Sequence, residues 1–335
     1  MFIASFTLDT SQLNLPVERL QTEWSEQAKV NLFCLRLDLT DLAVSGNKWF
    51  KLAHNIAEAK SKGISQVLTF GGAFSNHIFS TAHECARQGL NSVGVIRGEE
   101  LNPNANQMLE QASKAGMKFC FVSRSAYRNK YHQDQLAYYQ SEFGEYFLIP
   151  EGGSNQNGVL GCEAIGEHIA RQGICFNDVF VACGTSATCS GIIRGLHDAH
   201  NRGLLNFRPK VHGVSMFPKP DKPGWQSWMK PELEGYLGDV NYPYQLHESG
   251  YLPAYGRLTE GLAEFISEFH TQSSILLDPV YTGKLVYYLK HLCEVGQFRP
   301  QSNLLFVHTG GLHGWLGFES PPQLSGTIKN RLSSV

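Results

Sequence analysis

Residues 64–77 read Ile64-Ser65-Gln66-Val67-Leu68-Thr69-Phe70-Gly71-Gly72-Ala73-Phe74-Ser75-Asn76-His77. The first seven form a β-branched, apolar run of the length of a buried strand. Two glycines then permit a tight turn, and a helical pattern follows over 75–88. Strand, glycine turn and helix head make one α/β unit. Such a helix head offers free amides to an anion, and Ser75 and Asn76 suit a small carboxylate. The same residues also serve an ordinary strand–helix turn.

The unit repeats outward in both directions. Strands are expected at 92–96, 118–122, 146–149, 178–182 and 210–216. Helical patterns fall at 104–114, 125–142, 158–172 and from about Ser186. Residues 217–256, rich in Pro, Trp, Tyr and Gly, read as an irregular excursion of the kind that is functional or interfacial. A helix at 259–270, a strand at 275–278, a helix at 282–296 and a strand at 303–309 follow. The tail 319–335 reads as loosely held. The alternation predicts an α/β fold with mostly parallel, twisted sheets flanked by helices.

Composition narrows the function. The chain has 335 residues, 42% hydrophobic and 17% charged, with a formal net charge of −2. That balance implies no broad attraction to nucleic acid or to an anionic membrane. No apolar run approaches the ~20 residues of a membrane span. The start, MFIASFTLDT, lacks the pattern of a secretory signal. Eight cysteines without a C-x-x-C pair read as free thiols of a reducing cytoplasm. The thirteen histidines show no tight metal-ligand spacing, so no metal is expected.

Four further segments carry chemistry. Ser45-Gly46-Asn47-Lys48 opens a helical pattern, with Ser45 or Asn47 as its cap and Lys48 in its first turn. Helix-terminal amides and nearby cations disfavour an ammonium there, which suits a lysine that attacks an aldehyde. A solvated first-turn lysine has the same local pattern. Gly184-Thr185-Ser186-Ala187-Thr188 follows the strand 178–182 and precedes a helix. Small residues, hydroxyls and helix amides make a phosphate cradle. Neither G-x-x-x-x-G-K-[ST] nor G-x-G-x-x-G is present, so a monophosphate fits better than a nucleoside triphosphate or a dinucleotide. Asp278-Pro279-Val280-Tyr281-Thr282-Gly283-Lys284 and Val307-His308-Thr309-Gly310-Gly311 also follow strands, at the carboxyl edge where ligands bind. Tyr255 and Tyr281 are candidate acid–base or positioning groups, or core tyrosines. Thr309 before two glycines suggests backbone lying close to a flat ligand.

Taken in order, GNK, GGxxSNH, GTSAT, LDPVYTGK and HTGG resemble the fold-type-II pyridoxal-phosphate (PLP) enzymes. Among these the chain is most similar to the 1-aminocyclopropane-1-carboxylate (ACC) deaminase/D-cysteine desulfhydrase family, from about Leu35 to Gly311. The resemblance implies a tryptophan-synthase-beta-like fold. A large domain, 1–49 plus 156–335, would hold an inserted small domain, 50–155, and the protein would be a homodimer. It implies that Lys48, rather than Lys51, carries PLP as a Schiff base and moves the substrate proton. Asn76 would bond the PLP 3′-oxygen. Gly184, Thr185, Ser186, Ala187 and Thr188 would hold the phosphate, and Thr309 would face the ring nitrogen. Ser75, Asn76 and His77 would bind the substrate, with Tyr255 and Tyr281 on its face. The expected reaction is PLP-dependent lyase or deaminase chemistry on a small amino acid. D-cysteine desulfhydrase-like β-elimination is favoured over ACC ring opening, because Thr282 and Thr309 replace the Glu and Leu of ACC deaminases. A racemase, a dehydratase, a non-catalytic PLP-binding protein and a nucleotide-binding oxidoreductase are the competing readings.

Overall fold

Seven strands are short apolar runs marked by the sequence, and three more, at 17–20, 31–36 and 244–247, carry no such mark. The computed structural model describes residues 15–217 and 226–332, so the opening decapeptide lies outside the described residues. The strands are β1 (Val17–Leu20), β2 (Asn31–Arg36), β3 (Gln66–Gly71), β4 (Asn91–Arg97), β5 (Met117–Val122), β6 (Phe147–Ile149), β7 (Asp178–Cys183), β8 (Lys210–Ser215), β9 (Tyr244–His247) and β10 (Asn303–His308). They form two sheets. One has the order β5-β4-β3-β6 and is parallel throughout. The other has the order β1-β2-β10-β7-β8-β9 and is parallel apart from the β1–β2 pair.

The helices are α1 (Glu23–Gln27), α2 (Asn47–Ser61), α3 (Asn76–Arg87), α4 (Gln107–Lys114), α5 (Arg124–Arg128), α6 (Gln133–Phe143), α7 (Gln156–Ala170), α8 (Ala187–Asn201), α9 (Met229–Leu237), α10 (Glu260–Ser273), α11 (Thr282–Glu294) and α12 (Pro322–Leu332). The larger sheet is buried on both faces, and the period of two along its strands sorts the residues between them. On β10, Leu304 and Phe306 enter the core with α10 and α11, while Leu305 and Val307 enter the core with α7 and α8.

Close backbone approach locks the helices that frame the site. A Cβ at Gly161 of α7 would fall 1.9 Å from the Phe50 carbonyl oxygen of α2. One at Gly195 of α8 would fall 2.0 Å from the Glu163 carbonyl oxygen of α7. Only glycine lets the three helices pack at this distance.

Four expectations from sequence are corrected. The helix expected over 125–142 is two helices, α5 and α6, broken because Lys130 pairs with Glu151 at 3.2 Å and the Tyr131 hydroxyl accepts the Glu151 N–H at 3.0 Å. The excursion 217–256 contains α9 and β9, with Met229, Leu233 and Leu237 buried on one face of α9. Residues 275–278 join no ladder. The Leu276 and Leu277 carbonyls accept from the side chains of His308 and Trp315, each at 2.9 Å, and so are spent elsewhere. The tail forms α12, docked through Leu324, Ile328 and Leu332, four residues apart.

Candidate active site

The carboxyl ends of both parallel sheets empty into one cleft of about 1530 Å³. It is lined by Lys48, Lys51, Ser75, Asn76, His77, Gly184, Thr185, Thr188, Tyr255, Tyr281 and Thr309. These side chains come from six segments spread over the chain.

Lys48 stands in the first turn of α2. Neither Ser45 nor Asn47 caps this helix. The N-cap is Gly46, at φ 68°, where a Cβ would lie 1.9 Å from the Thr309 carbonyl oxygen. That carbonyl accepts the Asn47 N–H at 3.2 Å, and the Asn47 side chain donates to Thr188 Oγ1 at 2.9 Å. The head of α2 is thus tied to the loops after β10 and β7. Burial, then the neighbouring Lys51 charge, pushes the Lys48 amine down to about 7. Its hydrogen bond to Asn47 Oδ1 is long, 3.4 Å.

Lys51, one turn on, has a different environment. Its ammonium donates to the Gly152 carbonyl at 3.1 Å and to Thr185 Oγ1 at 3.0 Å. It is 2% exposed and lies beside the 184–188 loop, where burial lowers its pKa and a bound anion would favour its charged form. A lysine three places after Lys48 was the available signal, and sequence alone makes it only a rival nucleophile.

The cradle itself is the head of α8. Ser186 and Ala187 are fully buried, and the Ser186 hydroxyl donates to the Met229 carbonyl at 3.2 Å. These two residues can offer main-chain amides, while Thr185 and Thr188 present side chains to the cleft. The Ser186 N–H donates to a carboxylate oxygen of Glu232 at 2.9 Å, and Ser154 Oγ donates to its other oxygen at 2.9 Å. Glu232 belongs to α9, in the excursion, and no motif announces it. Its contact demonstrates that the head of α8 receives an anionic oxygen.

The Ser75 hydroxyl caps α3 by accepting the Ile78 N–H at 3.3 Å. The Asn76 and His77 amides, in the first turn, have no helical acceptor. His77 Nε2 bonds Thr69 Oγ1 at 2.8 Å, and since that hydroxyl donates to the Ile149 carbonyl, the imidazole donates. Burial, then Lys48 and Lys51, holds His77 well below its ordinary range, so it is neutral. On the opposite wall the Tyr255 and Tyr281 hydroxyls are 3.1 Å apart. Burial raises both, Tyr281 the more steeply, so both keep their protons at neutral pH. The Tyr281 ring lies against Gly184, where a Cβ would come within 2.7 Å. Thr309 Oγ1 is 3.5 Å from Thr282 Oγ1, and the nearby Asp278 carboxylate accepts three backbone N–H groups at 2.7–2.9 Å.

This donor set fits a phosphorylated, flat, phenolic aldehyde. The cradle and Lys51 suit the phosphate, and the Lys48 amine suits the aldehyde. Asn76 Oδ1 is buried without a hydrogen-bond partner among the described residues, and its Nδ2, which makes only a long 3.5 Å contact to the Gly311 carbonyl, can donate to a phenolic oxygen. Comparison with known proteins agrees. The family model described as "Pyridoxal-phosphate dependent enzyme" matches residues 10–310. The chain belongs to the pyridoxal-phosphate dependent enzyme family. It is 31% identical to a provisionally named ACC deaminase of Pyrococcus horikoshii, over 87% of each chain. It is 29% identical to a D-cysteine desulfhydrase of Serratia proteamaculans, over 88% of this chain and 91% of that one. A bifunctional D-cysteine desulfhydrase/ACC deaminase of Arabidopsis thaliana, mitochondrial by name, is 28% identical over 93% of this chain and 80% of its own. The crystal structure of an ACC deaminase homologue superposes with a TM-score of 0.75 at 27% identity, covering 95% of this chain and 94% of that one. This PLP enzyme therefore has a fold-type-II architecture. Among the described residues no cluster suits a metal ion, and no helix is long and apolar enough to cross a membrane.

Two changes at the cradle are expected to act in opposite directions. Thr185→Ala with Thr188→Ala removes hydroxyls worth about 1.5–3 kcal/mol each when bonded to a charged group, and PLP release on dialysis should accelerate. Glu232→Gln removes the resident negative charge, and PLP release should slow several-fold. Unchanged retention in both variants would contradict the placement of the phosphate.

Proposed function

We propose that this PLP enzyme catalyses β-elimination from a small amino acid, with D-cysteine the favoured substrate, giving pyruvate, ammonia and sulfide. The observation that carries the reading is Lys48, an amine whose pKa is lowered to about 7 at the head of α2, in the cleft it shares with the phosphate cradle and the paired tyrosines. PLP, when bound, supplies a sink for the electron pair left at Cα. Ser75 and the first-turn amides of α3 hold the substrate carboxylate. Lys48 takes the Cα proton. Tyr255 and Tyr281, both protonated, face the β-substituent and supply a proton to the leaving sulfur. The Cα–H and Cβ–S bonds break, and water provides the ketone oxygen of pyruvate. Thr309, beside Thr282, would offer the bound cofactor's ring nitrogen a neutral hydroxyl and no carboxylate, which suffices when an α-proton is there to be removed.

ACC deamination is the second reading. The relatives' names and the presence of both Ser75 and Tyr281 in the cleft favour it. ACC has no α-hydrogen, so its ring opening must begin elsewhere and asks more of the electron sink. Residues 50–155 form the inserted small domain in this reading, supported by β3–β6 building a sheet of their own. Eight free cysteines support a reducing cytoplasm, and the family resemblance supports a homodimer.

The test is a side-by-side assay of 2-oxo acid formation from D-cysteine, L-cysteine, D-serine and ACC, on protein whose visible absorption shows bound PLP. Pyruvate from D-cysteine at the highest kcat/KM is expected. Efficient 2-oxobutanoate formation from ACC with no pyruvate from the other three would replace this reading by the second.

A further inference from the structure

The machinery above leaves three cleft-lining cations unused. Lys48 and Lys51 have their places, and Lys130 is paired with Glu151 at 3.2 Å. Arg97, Arg124 and Arg128 also line the cleft, and none has a carboxylate within salt-bridge distance among the described residues. Arg97 is the best placed. It ends β4, beside β3, whose following loop holds the substrate-side residues. A Cβ at Gly72 would lie 3.8 Å from its Nη2, so the guanidinium sits over the start of that loop. Its charge also reaches the Tyr255 hydroxyl across the cleft.

Tyr127 adds an independent sign. It lines the cleft and is 5% exposed, with its ring 5.9 Å from the Arg97 guanidinium carbon. Its hydroxyl makes no hydrogen bond of ordinary length among the described residues, and the Glu151 carboxylate is its nearest acceptor. Burial keeps that hydroxyl protonated and available as a donor. The nearby Glu151 carboxylate is paired with Lys130 at 3.2 Å, and Glu100 and Glu232 also line the cleft. A buried hydroxyl with no hydrogen bond of ordinary length, beside an exposed guanidinium without a counter-ion, can receive an oxyanion. The substrate's α-carboxylate has its own receptor at the head of α3, so the oxyanion is a second one.

We propose that Arg97 and Tyr127 are specificity residues for an anionic β-substituent, so that the substrate class includes three-carbon amino acids bearing an oxyanion leaving group such as a phosphate ester. The inference rests on the β-elimination reading. In the step implied, the Cα proton goes to Lys48 and the Cβ–O bond breaks with its electron pair leaving on phosphate. Water then supplies the ketone oxygen, giving pyruvate, ammonia and inorganic phosphate. Arg97 receives the charge of the leaving group, and Arg124 and Arg128, on the exposed rim, draw dianionic substrates inward.

The experiment compares both enantiomers of O-phosphoserine with those of β-chloroalanine, a neutral substrate giving the same pyruvate, in the holoenzyme and its R97Q, R97K and Y127F variants. R97Q should lower kcat/KM for O-phosphoserine by about 10- to 150-fold more than for β-chloroalanine, chiefly through KM. R97K, which keeps the charge without the fork, should recover part of that difference. Y127F should show a smaller selective loss. Bound-PLP absorbance reports that each variant is folded. A parallel fall on both substrates would overturn the inference. So would wild-type protein that turns over β-chloroalanine while O-phosphoserine neither reacts nor perturbs the visible spectrum. If neither substrate yields pyruvate, the β-elimination reading falls and takes this inference with it.

Discussion

Replacing Lys48 by alanine is expected to lower kcat by on the order of 10³–10⁴-fold or more, whereas Lys51→Ala should chiefly weaken cofactor retention. The two lysines share one helix and sit a turn apart, yet their surroundings divide the work. Lys51 spends its protons on the Gly152 carbonyl and the Thr185 hydroxyl, which tie it to the cradle, although burial lowers its pKa as well. Lys48 has only the long contact to Asn47 and a pKa lowered to about 7 by burial and by Lys51. A nucleophile must be unprotonated, so the rate at which PLP attaches to the apo-protein should rise about tenfold per pH unit below 7 and level off above it. Borohydride reduction followed by peptide mapping should place the pyridoxyl group on Lys48. A label on Lys51, or a pH profile still rising toward the usual lysine range, would sink the assignment.

Gly46→Ala should be the most damaging small substitution near the site. Gly46 combines a positive φ of 68° and ψ of −144°, a region that alanine avoids, with a Cβ position 1.9 Å from the Thr309 carbonyl oxygen. Either the head of α2 lifts from the loop after β10, or that loop moves. Both break the Asn47 N–H to Thr309 contact and displace Lys48 from the cradle. The strain alone is of order 1–3 kcal/mol, and the overlap adds to it. PLP occupancy should collapse even where the chain still folds, read as loss of visible absorbance with far-UV circular dichroism retained. Near-wild-type PLP occupancy in the alanine variant would show that the contact is dispensable.

What could be read from sequence was short-range. Continuous apolar runs of strand length identify β3, β4, β7, β8 and β10, and the small hydroxyl-rich loop before α8 identifies an anion site, because run length and turn chemistry are properties of neighbouring residues. The five motifs that name the family lie in such loops. Missed elements carried weaker local marks. Helices α9 and α12 show buried positions every four residues, diluted by proline, glycine and serine, while residues 275–278 look like a strand and lose that role to side chains of His308 and Trp315. The remaining decisions were tertiary. Lys51 meets Thr185 across 134 positions, Ser186 meets Glu232 across 46, and Arg97 comes to rest over Gly72. None of these pairs shares a local pattern. They meet because glycine-mediated packing of α2, α7 and α8, and the docking of two parallel sheets around one cleft, bring distant loops to the same edge. Which lysine is neutral, which cation is unpaired and which carboxylate enters the cradle all depend on burial, and burial belongs to the packed chain.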